Sequence, residues 1–260
     1  MKVAIVTGAG SGLGRAIAWA LHKEGYALAL CGRTWKKLTD VASEITKAGG
    51  TTMARQVDVR SAEMIGKFYD DVMEVYGRVD VLVNNAGYAH DPDPIHDLSP
   101  WDLQESLETN VLGPFMFMHR FLPVMRRQYR EHAERSVIVN IASKAARWPT
   151  PRMSAYSASK AALVAITQAC AKELAEDEVG VKVISISPGG MNTPMRVEVA
   201  GPENAALQQS PESVAKIVAD IVEGRPLVDS SRTHYDYIPN GADVLVWKEK
   251  VTVYPVEDRR

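Results

Sequence analysis

Short β-branched apolar runs alternate with segments of helical period along almost the whole chain, and that alternation restricts the fold more than any other feature. Residues 3–6 form an apolar run ended by Thr7-Gly8-Ala9-Gly10. Leu13, Ala16, Ile17, Ala20 and Leu21 then recur at helical spacing up to Gly25, a residue suited to a helix C-terminus. The rhythm repeats with a run at 27–31, a helix marked by Trp35, Leu38, Val41, Ala42 and Ile45, and a weaker strand at 51–57. Ser61 can cap a third helix that stops at Gly77, before a fourth strand at 79–84. In the second half, Ser99-Pro100 starts a long helix that Pro114 and Pro123 should kink or divide. Strands at 136–141 and 181–187 flank a helix over about 155–175. Another helix runs from Ser210-Pro211 to about Glu223, and 242–247 is the last strand. Continuous apolar strands are buried on both faces, and helical crossovers impose parallel pairing. The expected fold is α/β: one doubly wound parallel sheet of about seven strands, helices on both faces, in a single domain over 1–260.

Charge and cysteine usage narrow the partners. The 30 Lys+Arg and 32 Asp+Glu leave a net charge of −2, without the basic surface a nucleic-acid binder needs. No apolar run approaches the ~20 residues of a membrane span, and the opening residues do not read as a secretion signal. Cys31 and Cys170 make no disulfide framework, so a reducing, cytoplasmic setting is expected. The six histidines show no zinc-ligand spacing, and no metal site is expected. Cys31, within an apolar strand, reads as a core residue.

Ligands of such a sheet bind at the carboxyl ends of the strands, near the reversal of strand order. After strand one the chain reads Thr7-Gly8-Ala9-Gly10-Ser11-Gly12-Leu13-Gly14. Glycines there allow a tight turn and let backbone N–H groups of a helix N-terminus meet a pyrophosphate. A glycine cluster alone is also an ordinary strand–helix connection, but its place in a βαβ unit favours a nucleotide site.

The spacing T-G-x-x-x-G-x-G resembles the classical short-chain dehydrogenase/reductase family, and further marks follow in that family's order. They are Asn84-Asn85-Ala86-Gly87 after strand four, Asn110 in Thr109-Asn110-Val111, and Ser143 after strand five. Tyr156 and Lys160 form Y-x-x-x-K, and Pro188-Gly189 with Thr193 form P-G-x-x-x-T. Singly these are turn residues or chance pairs; together, over about residues 2–200, they are not coincidence. The resemblance implies a Rossmann-type fold and an oxidoreductase that moves a hydride between nicotinamide and a carbonyl or alcohol. It assigns Asn110, Ser143, Tyr156 and Lys160 to catalysis. It assigns Gly8, Ser11, Gly12, Leu13, Gly14, Arg33, Thr34, Asp58, Val59, Asn85, Ala86, Gly87, Pro188, Gly189, Met191 and Thr193, with Tyr156 and Lys160, to the cofactor.

Tyr156 and Lys160 share one helix face at i and i+4. A free phenol ionises near pH ~10, and a nearby ammonium is expected to lower that value towards a useful acid/base. Ser143 can hydrogen-bond the substrate oxygen. The resemblance implies that Lys160 also holds the nicotinamide ribose and that Asn110 helps place a proton-relay water. Gly32 stands where NAD-specific relatives carry aspartate, and Arg33 and Thr34 follow, so NADP(H) is expected over NAD.

The resemblance implies a lid over the substrate at about 190–210, and its mixture of Met191, Met195 and Val197 with Arg196 and Glu198 suits a partly apolar carbonyl compound. Trp148, Pro149 and Met153 either line the substrate pocket or pack. A 3-oxoacyl thioester reductase and a non-catalytic dinucleotide sensor on the same fold are the alternatives. The helices from Trp101 and Ala155, which the family commonly pairs across a two-fold axis, imply a homodimer or homotetramer; Phe115, Phe117, Met118, Phe121 and Leu122 supply apolar surface. The tail at 248–260 lacks the family's V-D-G-G ending, and either covers a neighbouring subunit or folds over the substrate mouth.

Overall fold

A computed structural model of the chain describes residues 1–228, 234–235, 238–248 and 250–256. The first half alternates β1 (Val3–Thr7), α1 (Gly12–Lys23), β2 (Ala27–Gly32), α2 (Trp35–Lys47), β3 (Thr52–Gln56), α3 (Ala62–Tyr76) and β4 (Val81–Asn84). The second half has α4 (Pro100–Leu107), a π-helical turn (Glu108–Leu112), α5 (Gly113–His132), β5 (Ser136–Ile141), a 3₁₀ turn (Lys144–Ala146), α6 (Ser154–Glu176) and β6 (Val181–Pro188). Then come α7 (Pro194–Ala200), α8 (Pro202–Ala206), α9 (Pro211–Val222), a small ribbon of β7 (Leu227–Val228) and β8 (His234–Tyr235), and finally β9 (Asp243–Trp247) and β10 (Lys250–Tyr254). The main sheet runs β3-β2-β1-β4-β5-β6-β9-β10. All pairings are parallel except β9–β10. Strand order reverses between β1 and β4, where β1 pairs with both β2 and β4.

Every residue of β1, β2, β4 and β6 is buried, because helices cover both faces of the sheet. One face packs Leu13, Ile17 and Leu21 of α1 with Val214 and Val218 of α9. The other packs Phe68 of α3 against Phe117 and Phe121 of α5, ring centroids 6.0 and 6.3 Å away. Each such ring contributes roughly 1.5–3 kcal/mol by leaving water. Phe117, Met118 and Phe121 are therefore core residues, whereas Phe115 is 49% exposed.

The sheet has eight strands, not about seven. The extra one is β10, built from part of the tail, which returns antiparallel along β9 with Val251 opposite Val246 and Val253 opposite Val244. Valines at alternate positions bury one face of this edge strand. Residues 257–260 of the tail lie outside the described residues. The long helix after Ser99 divides just before Pro114, as expected, whereas Pro123 does not interrupt it. It divides at the π-helical turn, where Gly113 N–H bonds the Glu108 carbonyl, and Pro114 lies in the first turn of α5. Pro123 is carried inside α5, which continues to His132. Pro114 has no N–H to offer the Asn110 carbonyl, so an α-helical bond is lost where the helix changes register. Among the described residues no helix is long and apolar enough to cross a membrane.

Candidate active site

The carboxyl ends of β1, β2, β4, β5 and β6 surround a cavity of about 450 Å³, within the range of ligand pockets. At its floor the turn after β1 has Gly8 and Gly12 at φ +65° and +51°, a region side chains disfavour. A Cβ on Gly14 would stand 2.3 Å from the Gly8 carbonyl oxygen and 2.5 Å from Asn85 Nδ2. The missing side chain is what brings α1 against the strand ends. Thr7 locks this turn to β4: its hydroxyl accepts from the backbone N–H of Asn85 and Ala86, both at 2.9 Å. Asn85 returns a bond from Nδ2 to the Thr7 carbonyl, also 2.9 Å. Thr7 supports the site from outside the cavity lining, a residue that the motif spacing contained but did not single out. Only its buried hydroxyl, seen in place, shows the role.

All the residues assigned to the cofactor line this cavity, from Gly8 through Thr193. Thr193 has a second duty, since its hydroxyl caps α7 by accepting from Arg196 N–H. At the far end, Arg33 and Thr34 are joined by Lys37, which sequence reasoning missed. Lys37 is one turn into α2, so its approach to Gly10 depends on tertiary packing. Asp58 is held by Arg60, whose hydrogen bonds keep its carboxyl below the usual carboxylate range. Glu105 accepts from Arg60 at 3.1 Å and lies 3.9 Å from Arg33.

At the near end, Ser143, Tyr156 and Lys160 line the cavity together, while Asn110 does not. Asn110 is fully buried behind it. Its Nδ2 donates to the Tyr88 carbonyl (2.8 Å) and Ser159 Oγ (2.9 Å), and its Oδ1 accepts from Tyr88 N–H (2.9 Å). Ser159 Oγ donates in turn to the Tyr156 carbonyl at 2.7 Å. Asn110 thus joins the loop after β4 to the turn of α6 that carries Tyr156. Lys160 Nζ donates to the Ile141 carbonyl at 2.8 Å, and burial pulls its pKa down to about 8. Ser143 Oγ accepts from Ala145 N–H at 3.1 Å.

The phenol does not follow the expectation set by its lysine. Burial raises the Tyr156 pKa, and it outweighs the hydrogen bond from Ser143 and the charge of Arg196, which act the other way. Lys160 is itself desolvated and tied to a carbonyl, which limits its pull. Trp148 and Met153 do not line the cavity: Trp148 meets the Tyr254 ring edge-on at 6.2 Å, and Met153 is buried.

The family model described as short chain dehydrogenase matches residues 2–204. The chain belongs to the short-chain dehydrogenase family. It is 36% identical over 195 residues to an uncharacterized oxidoreductase of Staphylococcus epidermidis, covering 75% of this chain and 80% of that one. It is 30% identical over 221 residues to an NADPH-dependent pterin aldehyde reductase of Arabidopsis thaliana, covering 85% and 87%. In three dimensions it resembles a 3-ketoacyl-(acyl-carrier-protein) reductase of Brucella melitensis complexed with NADH. That TM-score is 0.78 at 28% identity, over 85% of this chain and 90% of the other. As a short-chain dehydrogenase, the protein is an NAD(P)-dependent oxidoreductase of carbonyl and alcohol groups.

The cavity fits a dinucleotide on its own evidence. Like α2, which also opens on the cavity, α1 has no side-chain cap and no acid in its first turn, whereas α3, α4 and α9 are each capped by a serine hydroxyl. Its leading N–H groups are therefore left for an anion.

Proposed function

We propose that this protein is an NADP(H)-preferring carbonyl reductase in which Tyr156 is the acid/base, Ser143 fixes the substrate oxygen, and Lys160 and Asn110 support them. The observation that carries the reading is that Ser143, Tyr156 and Lys160 line the same cavity as the glycine turn. Nicotinamide supplies or accepts the hydride when bound. The α1 N-terminus with Gly12 to Gly14 would hold its pyrophosphate, and Lys160 its ribose. With its pKa raised by burial, Tyr156 carries a proton at neutral pH and can donate it to a carbonyl oxygen held by the Ser143 hydroxyl. Asn110 acts from behind by holding the Tyr88 and Tyr156 backbones in register.

The preference for NADP(H) rests on the far end. Residues 26–34 contain no acid, and Arg33, Thr34 and Lys37 line that end. A 2′-phosphate would meet cations there, drawing Arg33 from its 3.9 Å approach to Glu105. The Arabidopsis relative named as NADPH-dependent supports the same choice.

We also propose a homodimer through α4 and α5. Leu103, Leu107, Leu112 and Phe115 are 39–49% exposed and line a shallow apolar groove with Ile166 of α6. A second copy would cover it.

The deciding experiment pairs Tyr156→Phe with a carbonyl and alcohol panel and both cofactors. The variant should bind NADPH as wild type does and lose about 10²–10⁴-fold in turnover. Wild-type turnover that survives the substitution would overturn the assignment, and no turnover by wild type on any panel member would favour a sensor.

A further inference from the structure

Asp243 opens β9 and its side chain is fully buried, so its charge needs partners inside the protein. Its Oδ1 accepts from the Ser185 and Ser187 hydroxyls of β6 at 2.9 and 2.6 Å. Its Oδ2 accepts from Arg147 Nε at 2.8 Å, and among the described residues Arg147 is its one cation within ion-pair distance. The Arg147 guanidinium lies 3.8 Å above the Tyr254 ring of β10, a close cation–π stack. Trp148 meets the same ring, and Lys144 Nζ lies 5.3 Å over the Trp247 ring of β9.

Lys144, Arg147 and Trp148 all belong to the short turn that leaves Ser143. That turn is tight: Ala146 N–H bonds the Ser143 carbonyl at 2.9 Å, and Arg147 and Trp148 N–H both bond the Lys144 carbonyl. A rigid turn fixed at its far side fixes its near side. β9 also touches the segment after β6, because Gly189 N–H bonds the Val246 carbonyl and a Cβ on Gly189 would stand 1.8 Å from the Trp247 ring.

We infer that Arg147 is a positioning residue: clamped between Asp243 and Tyr254, it braces the Ser143 turn on the β9–β10 hairpin and so sets where the serine hydroxyl meets Tyr156. The inference rests on the proposed pairing of Ser143 with Tyr156. β9 and β10 lie beyond the residues matched by the family model, so Asp243 and Tyr254, the two partners of Arg147, belong to the part of the chain where the V-D-G-G ending is absent. An ångström of freedom at a reacting group costs up to about 100-fold in rate.

The test uses the full chain with Arg147→Gln, Arg147→Lys, Tyr254→Leu and, as references, Ser143→Ala and Tyr156→Phe. The first readout needs no turnover: ionisation of Tyr156 followed by ultraviolet difference spectra against Tyr156→Phe. The groups bearing on that phenol are Ser143, Arg196 of α7 and Lys160 on its own helix face. Arg147→Gln should move the ionisation upward, as Ser143→Ala does, with Arg147→Lys between them and wild type. The second readout is kcat and KM for NADPH on 4-nitrobenzaldehyde or the best panel carbonyl. Arg147→Gln should lose about 10–100-fold in kcat with KM for NADPH within twofold. If Arg147→Gln does not fold, Tyr254→Leu, which removes the stack and leaves the ion pair, should give the same shift in smaller measure. An unmoved Tyr156 ionisation in the folded variants overturns the brace. If Tyr156→Phe keeps its turnover, the underlying assignment fails instead.

Discussion

Lys160 Nζ is hydrogen-bonded to the Ile141 carbonyl at 2.8 Å and stands 5.8 Å from the centre of the Tyr156 ring. The ammonium is thus fixed by β5, not by the phenol. Burial lowers its pKa from 10.5 to about 8, so above pH 8 the unfolded chain binds a proton the folded one has lost. Stability should therefore rise with pH from about 8 towards 10.5. Lys182 shares the same direction, so the contrast must be made with a variant. Denaturant unfolding of wild type and Lys160→Met at pH 8 and 9.5 should show the wild type gaining up to about 2 kcal/mol relative to the variant. An equal gain in both would contradict the buried ammonium.

Cofactor choice should respond to the end of β2. Gly32→Asp with Arg33→Ala should lower kcat/KM for NADPH about tenfold to a hundredfold and raise the NADH value, since a charge-assisted phosphate contact contributes ~1.5–3 kcal/mol. Gly32 has room for the change, with neighbours no closer than 3.6 Å to its Cβ position. Lys37→Ala alone should weaken NADPH severalfold and leave NADH unmoved. An unchanged ratio in the double variant would remove Arg33 as selector.

Gly189→Ala should cost about 1–3 kcal/mol, because the new methyl meets the Trp247 ring at 1.8 Å. Trp247→Leu should restore part of that loss in the double variant, and additivity of the two would show that they do not touch. Thermal unfolding of the four proteins makes the comparison.

Most of the fold was legible because the buried parallel strands are continuous apolar runs, visible without partners. β10 was not, since Val251 and Val253 alternate with Thr252 and Tyr254 in a segment whose strand character depends on β9 being there to pair with. At the site, Ser143, Tyr156 and Lys160, which line one cavity, were singled out by the family resemblance. Lys37 and the Thr7 hydroxyl were not, because their roles arise where separate strand ends converge. The direction of the Tyr156 shift was misread for a similar reason: i and i+4 spacing shows that a cation is near, and nothing in it shows how much water is gone.

Oligomerisation should depend on the α4–α5 face. Phe115→Arg together with Leu112→Arg should reduce the mass seen by light scattering to that of the 28.5 kDa chain. A wild-type mass already at that value at micromolar concentration would refute the dimer.

Arg147 and Asp243 are separated by 96 positions. At ~5–20 residues per second, a ribosome reaches Asp243 roughly 5–20 s after it has made Arg147. Through that interval the glycine turn, Thr7 and Asn85 are already present in the nascent chain, while the turn bearing Ser143 has nothing downstream to lean on. The nucleotide cradle is thus encoded before the support of the serine, so a product truncated between Thr193 and Asp243 would contain every residue assigned to the dinucleotide and still lack a steadied Ser143.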